Sequence, residues 1–148
     1  MNLTEHFTIE EMQRSSTATR LGLPNICPVA LVPNMMDVAN HLEIIRAHFD
    51  APVHVTSCFR SPAVNAAVGG SATSAHRFGH AADCEVQGVP IIDLCRWCAE
   101  NIKDFDQIIY EFGSSGWMHI GFGGAVRGQL LTATKEGSRT VYRQGLIG

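Results

Sequence analysis

The stretch Ser74-Ala75-His76-Arg77-Phe78-Gly79-His80-Ala81-Ala82-Asp83 constrains this chain more than any other. It places a histidine and a carboxylate seven positions apart, which is not helical ligand spacing, and Gly79 argues against a regular helix between them. The small residues Ala81 and Ala82 then open a segment, Ala81 to Val86, that reads as a strand buried on both sides. A second polar stop, Trp117-Met118-His119, interrupts an otherwise apolar segment further on. Antiparallel pairing of strands brings such distant residues face to face, within about 5.5 Å at Cα.

The remaining segments suggest what these two stretches pack against. Thr8-Ile9-Glu10-Glu11 is a capping box, with Phe7 before it as a staple. It predicts a short helix that stops near Ser15, followed by an irregular connection from Thr17 to Pro33. Leu31, Met35, Val38, Leu42, Ile45 and Phe49 recur at steps of three and four and predict an amphipathic helix ending before Pro52. His41 and His48 fall off that stripe and read as solvated. Pro52 to Ser57 alternates as a strand, with His54 outward. Ser61-Pro62 caps a short helix through Val68. Pro90 to Ile102 reads as a helix. Phe105 to Phe112 and Trp117 to Phe122 read as strands around the turn Gly113 to Gly116, and a last hairpin spans Gln129 to Thr134 and Arg139 to Arg143. The succession gives an α+β fold: a single domain over residues 1–148, with helices packed on a small antiparallel sheet.

With 148 residues, one core is the natural arrangement. A net charge of -3 leaves no basic footprint for nucleic acid, and the nine arginines are scattered. No apolar run approaches the roughly 20 residues of a membrane span. Met1 to Glu11 carries Glu5, Glu10 and Glu11 and no apolar stretch of a signal peptide, so synthesis in a cytoplasm is expected. A monomer is expected too. The cysteines Cys27, Cys58, Cys84, Cys95 and Cys98 are odd in number, which argues against a disulfide framework. Cys95-Arg96-Trp97-Cys98 matches a redox spacing, but it lies in a segment that reads as helix, and its thiols read as buried small hydrophobes.

His76, Asp83 and His119 are candidates to bind one zinc ion. Imidazole nitrogen and carboxylate oxygen suit that metal, and three protein ligands leave a position open, as a hydrolytic site requires. Taken alone, the residues leave two alternatives standing. His80, four positions after His76, is a rival ligand, and the whole set could be ordinary polar residues.

Ser74-x-His76-x-x-Gly79-x-Ala81-x-Asp83 resembles the S-x-H-x-x-G-x-A-x-D signature of the M15 zinc peptidases. Val55-Thr56-Ser57-Cys58-Phe59-Arg60-Ser61 is similar to that family's T-S-G-Y-R-S segment, and Trp117-Met118-His119 to its W-x-H strand. The resemblance runs from the N-terminal helix to about Thr132 and is strongest to the short single-domain branch of phages and prophages. It implies a hedgehog-like peptidase fold, a Zn2+ cofactor, and His76, Asp83 and His119 as ligands. It implies Arg60 as the cation that orients the substrate carbonyl and stabilises the oxyanion, and Ser74 as a contact to the substrate. The implied substrate is the peptide of bacterial peptidoglycan, cut next to a D-amino acid. L-Ala-D-Glu endopeptidase is favoured over D-Ala-D-Ala carboxypeptidase, in a phage or prophage lysin that reaches the wall after release. Many relatives place an acid or histidine three positions before the last ligand, where this chain has Gly116. Glu111, across the hairpin from His119, is the substitute general base, with Asp106 a weaker one. Without a base, a binding module that keeps the fold is the alternative. Cys58 and Cys84 are expected near the metal without coordinating it.

Overall fold

The computed structural model describes residues 1–148. Its sheet is six-stranded, in the order β1-β2-β4-β3-β5-β6. The strands are β1 (Val53–Ser57), β2 (Ala81–Val86), β3 (Gln107–Glu111), β4 (Trp117–Gly121), β5 (Gln129–Glu136) and β6 (Arg139–Gln144). The helices are α1 (Ile9–Met12), α2 (Ser16–Leu21), α3 (Val32–Phe49), α4 (Pro62–Ala67) and α5 (Ile91–Asn101).

Alternation along the strands divides the residues between two faces. On one face, Val53, Val55, Ala82, Cys84, Val86, Ile108, Tyr110, Met118 and Ile120 join the core with α3 and α5. The stripe read from the sequence is the buried face of α3, where Met35, Val38, Leu42 and Ile45 are fully covered. Next to it, α5 contributes Ile91, Leu94, Cys95 and Cys98. The second face carries Asp83, Glu111, Trp117 and His119, and no long helix covers it. The sheet is therefore two-sided in chemistry: an apolar face that holds the fold, and a polar face open to ligands.

Cys58, Cys84, Cys95 and Cys98 are fully buried. Burial pushes the Cys95 thiol up to about 12 and the other three well above the ordinary range. A thiol held protonated is a poor nucleophile, so Cys95 and Cys98 are packing residues rather than a redox pair.

Several sequence expectations need correction. The segment after Thr17 is not irregular throughout. Ser15 caps α2 by accepting from Ala18 N, and Gly22 closes it in the left-handed region. The first helix stops at Met12, whose carbonyl accepts from Phe59 N–H, just beyond β1, at 3.0 Å. His41 is not solvated: it is 9% exposed, stacks on Phe122 at 4.0 Å, and reaches the Asp104 carboxylate at 2.9 Å. His48 is exposed as expected, but its ring stacks on Trp97 at 4.1 Å. The sheet is not wholly antiparallel either. After the β3–β4 hairpin, residues 122–128 pass around the start of β3, and β5 pairs with β3 in parallel, Ile109 opposite Leu131. The last hairpin, β5–β6, is thereby hung on the free edge of β3 instead of on β4.

Candidate active site

In β2 and β4, Asp83 and His119 are direct partners across the antiparallel ladder, so both side chains leave the same face side by side. His76 arrives from a 3-10 turn, Ala75–Phe78. Ser74 caps this turn by accepting from His76 N at 3.3 Å. Gly79 ends it at φ 72, where an added Cβ would also press on Met35 of α3 at 3.0 Å. The glycine lets the chain reverse from His76 into β2 while packing closely on the helix.

Two backbone contacts fix the His76 ring. Its Nδ1 donates to Cys58 O at 2.8 Å, and its carbonyl accepts from Arg60 N at 2.9 Å. The first leaves Nε2 of the neutral ring as an acceptor, 3.2 Å from Asp83 Oδ1. His119 Nδ1 approaches the same oxygen at 3.1 Å. The His76 Nε2 lone pair facing a carboxylate oxygen is stable only with a proton or a metal ion between them, and His119 Nδ1 meets the same oxygen. The three candidate ligand atoms lie within 4.8 Å of one another, and all three residues are buried. A tetrahedral zinc with ligands at about 2.0–2.1 Å keeps its donors about 3.3 Å apart, so the spacing and the donor set both fit that ion. Burial works to raise the Asp83 carboxyl pKa, but His76 and His119 outweigh it and hold the group well below the ordinary carboxylate range.

Arg60 and Ser57 complete the surround. A bulge between Val55 and Ser57 shifts the β1–β2 register so that Ser57 faces Asp83. Ser57 Oγ accepts from Arg60 Nε at 3.1 Å, and Arg60 Nη2 donates to Asp83 Oδ2 at 3.2 Å. Both oxygens of Asp83 are thus oriented, one to the histidines and one to the guanidinium. The serine stands in the segment that resembles the family's T-S-G-Y-R-S, but its place beside Asp83 depends on the bulge, which strand alternation alone does not foretell.

Glu111 pairs with Trp117 and sits diagonal to His119 on the same face. Burial pushes its carboxyl up to about 7, helped by the Asp83 charge; His119, the Trp117 indole N–H and Arg60 pull the other way. The indole nitrogen of Trp117 is buried with no closed hydrogen bond, so its N–H remains available to this carboxylate or to a ligand. Asp106 is excluded as a base. Its carboxylate accepts from Arg127 Nε and Nη2 at 2.8 and 2.9 Å and from Arg127 N at 3.1 Å, which clips the 122–128 crossover. His80 is not among the converging ligands; its ring packs over Gly123 instead. Ser74 lines the groove, but its oxygen is engaged in capping its own turn. Cys84 points into the core and Cys58 offers only its carbonyl, so neither thiol meets the site.

Gly116 has a structural reason. Any Cβ there would overlap the carbonyl oxygen of Glu111. The turn that carries the chain from Glu111 to Trp117 excludes a side chain at this position. Gly116→Glu is accordingly expected to lower the free energy of unfolding by about 2–4 kcal/mol without raising activity. Chemical denaturation and a cleavage assay on the same sample check both parts.

Arg60, His76, Asp83, Glu111, Trp117 and His119 line one open groove of about 950 Å³. It runs from the loop at Val68 to Ser74, past the three converging ligands, to Lys135 and Tyr142 on the last hairpin. A family model described as Peptidase M15 matches residues 5–121, a stretch that holds His76, Asp83, His119, Arg60 and Glu111. Among curated proteins the chain has no match.

Proposed function

The chain belongs to the M15 peptidases, a family of metallopeptidases, and from that premise we propose that it is a zinc peptidase of bacterial peptidoglycan. It hydrolyses the stem peptide next to a D-amino acid, with His76, Asp83 and His119 holding the ion. A phage or prophage lysin is the proposed setting. No helix is long and apolar enough to cross a membrane. The observation that carries this reading is the convergence of two imidazole nitrogens on one Asp83 oxygen inside an open groove. The groove continues past the site on both sides. That suits a bond within a chain better than removal of a terminal residue, and so favours the L-Ala-D-Glu endopeptidase over a D-Ala-D-Ala carboxypeptidase.

Zinc at this position supplies a Lewis acid for the scissile carbonyl and makes water nucleophilic near neutral pH. The protein's own groups do the rest. The Cys58 carbonyl holds His76 in the tautomer that presents Nε2. Arg60 steadies Asp83 and has N–H groups left to donate to the carbonyl oxygen as charge develops there. Glu111, ionised near neutral pH, accepts a proton from the attacking water and returns it to the leaving amine nitrogen. Activity is expected to fall on the acid side as Glu111 protonates, at or below about pH 7, since a nearby cation favours the ionised form.

Mass spectrometry of purified peptidoglycan digested with the protein, with and without a chelator, tests the reading. Chelator-sensitive release of stems beginning at D-Glu is the expected result. Loss of one terminal D-alanine would identify the carboxypeptidase instead. A zinc-loaded sample that yields no products would leave a binding module.

A further inference from the structure

The far end of the groove is built by β5 and β6, beyond the residues 5–121 matched to the family. Three lysine or arginine side chains line the groove: Arg60, Arg127 and Lys135. Arg60 is paired with Asp83 and Arg127 with Asp106. Lys135 has no carboxylate partner. Its ammonium donates to Thr140 Oγ1 at 3.2 Å and lies 5.4 Å from the centre of the Phe112 ring. Phe112 in turn packs edge-on against Trp117 at 5.3 Å, next to Glu111. Tyr142 stands beside them, on the row Glu111–Ala133–Tyr142 across the sheet. Ala133, in the middle of that row, is fully buried.

Moving outward from the reaction centre, a ligand therefore meets an aromatic wall, then an unpaired cation flanked by a hydroxyl and a phenol. The strand register gives the distance. Leu131 shares the row of His119 through Ile109, and Lys135 lies four residues further along β5. At about 4.8 Å per strand and 3.3 Å per residue, the two backbones are about 16 Å apart. A lysine side chain leaning back over Phe112 closes this to about 10 Å, the length of about three residues of extended peptide.

We propose that Lys135, with Thr140 and Tyr142, is an anion subsite that selects peptides bearing a free carboxylate about three residues from the bond that is cut. The proposal rests on the peptidase reading above. The occupant is an acidic peptide rather than a phosphorylated one. A single ammonium beside two neutral hydroxyls matches one carboxylate, whereas a phosphate dianion calls for paired or forked cations.

The test uses two synthetic stem peptides that differ only in a carboxylate or carboxamide at that position. Zinc-loaded wild type is expected to cut the carboxylate peptide about tenfold better, mainly through KM, the size of one charge-assisted contact. In Lys135→Gln the ratio falls to near one, and in Lys135→Glu it inverts. The side chain is exposed, so both variants fold, and circular dichroism verifies it. Zinc-free wild type, followed by tryptophan fluorescence, is expected to bind the carboxylate peptide tighter by a similar factor. Equal ratios in wild type and Lys135→Gln overturn the subsite and leave the peptidase reading intact. If neither peptide is cut, the peptidase reading fails, and the zinc-free binding ratio alone decides the subsite.

Discussion

Asp83→Asn is expected to abolish peptide cleavage and to lower zinc affinity by about 10²–10³-fold. Zinc binding to structural protein sites is worth about 10–16 kcal/mol over four ligands, so one anionic ligand carries about 3–4 kcal/mol of it. Asparagine keeps the volume of the side chain and removes the charge that His76, His119 and Arg60 all address. Competition with a chromogenic chelator measures the affinity. A variant that retained wild-type zinc binding would show that the ion is held elsewhere. Stability carries a second signature. The folded-state pKa of Asp83 lies below its unfolded value of about 3.9. Its contribution is therefore fully present above about pH 4 and is lost as pH falls toward the folded value. The asparagine variant lacks that acid-side loss, so the two unfolding curves converge as pH is lowered.

Glu111→Gln separates proton transfer from metal binding. Turnover is expected to fall by about 10²–10⁴-fold, the usual worth of a positioned base, with zinc content unchanged. A loss of zinc alongside activity would instead place Glu111 among the groups that hold the ion. The same substitution makes the metal-free protein more stable in alkali. The Glu111 pKa is raised from 4.5 to about 7 in the fold. The folded state thus favours the protonated carboxyl, and stability drops as pH rises from about 4.5 through about 7. Glutamine never ionises and escapes the drop. At pH 8 the zinc-free variant is expected to gain about 1–3 kcal/mol over wild type. Urea unfolding at pH 5 and pH 8 measures it. A carboxylate whose ionisation weakens the fold around it fits the proposed role of Glu111.

Local signals foretold most of the elements around this site. The stripe of α3, the capping box at Thr8, the Ser61-Pro62 start of α4 and the bounds of β2 are each set by residues close in sequence, and each stands where the sequence put it. The three converging residues were not set by local signals: taken alone, the sequence left His80 and an ordinary polar set as alternatives, and the resemblance to the M15 signature singled out His76, Asp83 and His119. What could not be read depends on distant partners. His41 looked solvated because its stripe is polar there, yet Asp104 and Phe122 come from far along the chain to cover it. Asp106 looked like a spare acid because Arg127 reaches it only through the crossover. The parallel pairing of β3 with β5 left no trace in the alternation, since a strand reads the same whichever direction its neighbour runs.

The crossover at residues 122–128 divides the groove by ancestry of contact. Every ladder that sets Asp83 beside His119 and Glu111 beside Trp117 is closed within β2, β4 and β3. The last hairpin adds to that unit along a single parallel edge, held by the Asp106–Arg127 clip. The arrangement is a chassis with a detachable jaw. Changes in the length or sequence of the hairpin alter what is gripped, while the reacting groups keep their register. Under the proposed peptidase reading, the peptide that is gripped can therefore change with the hairpin while Asp83, His119 and Glu111 keep their places in the ladders.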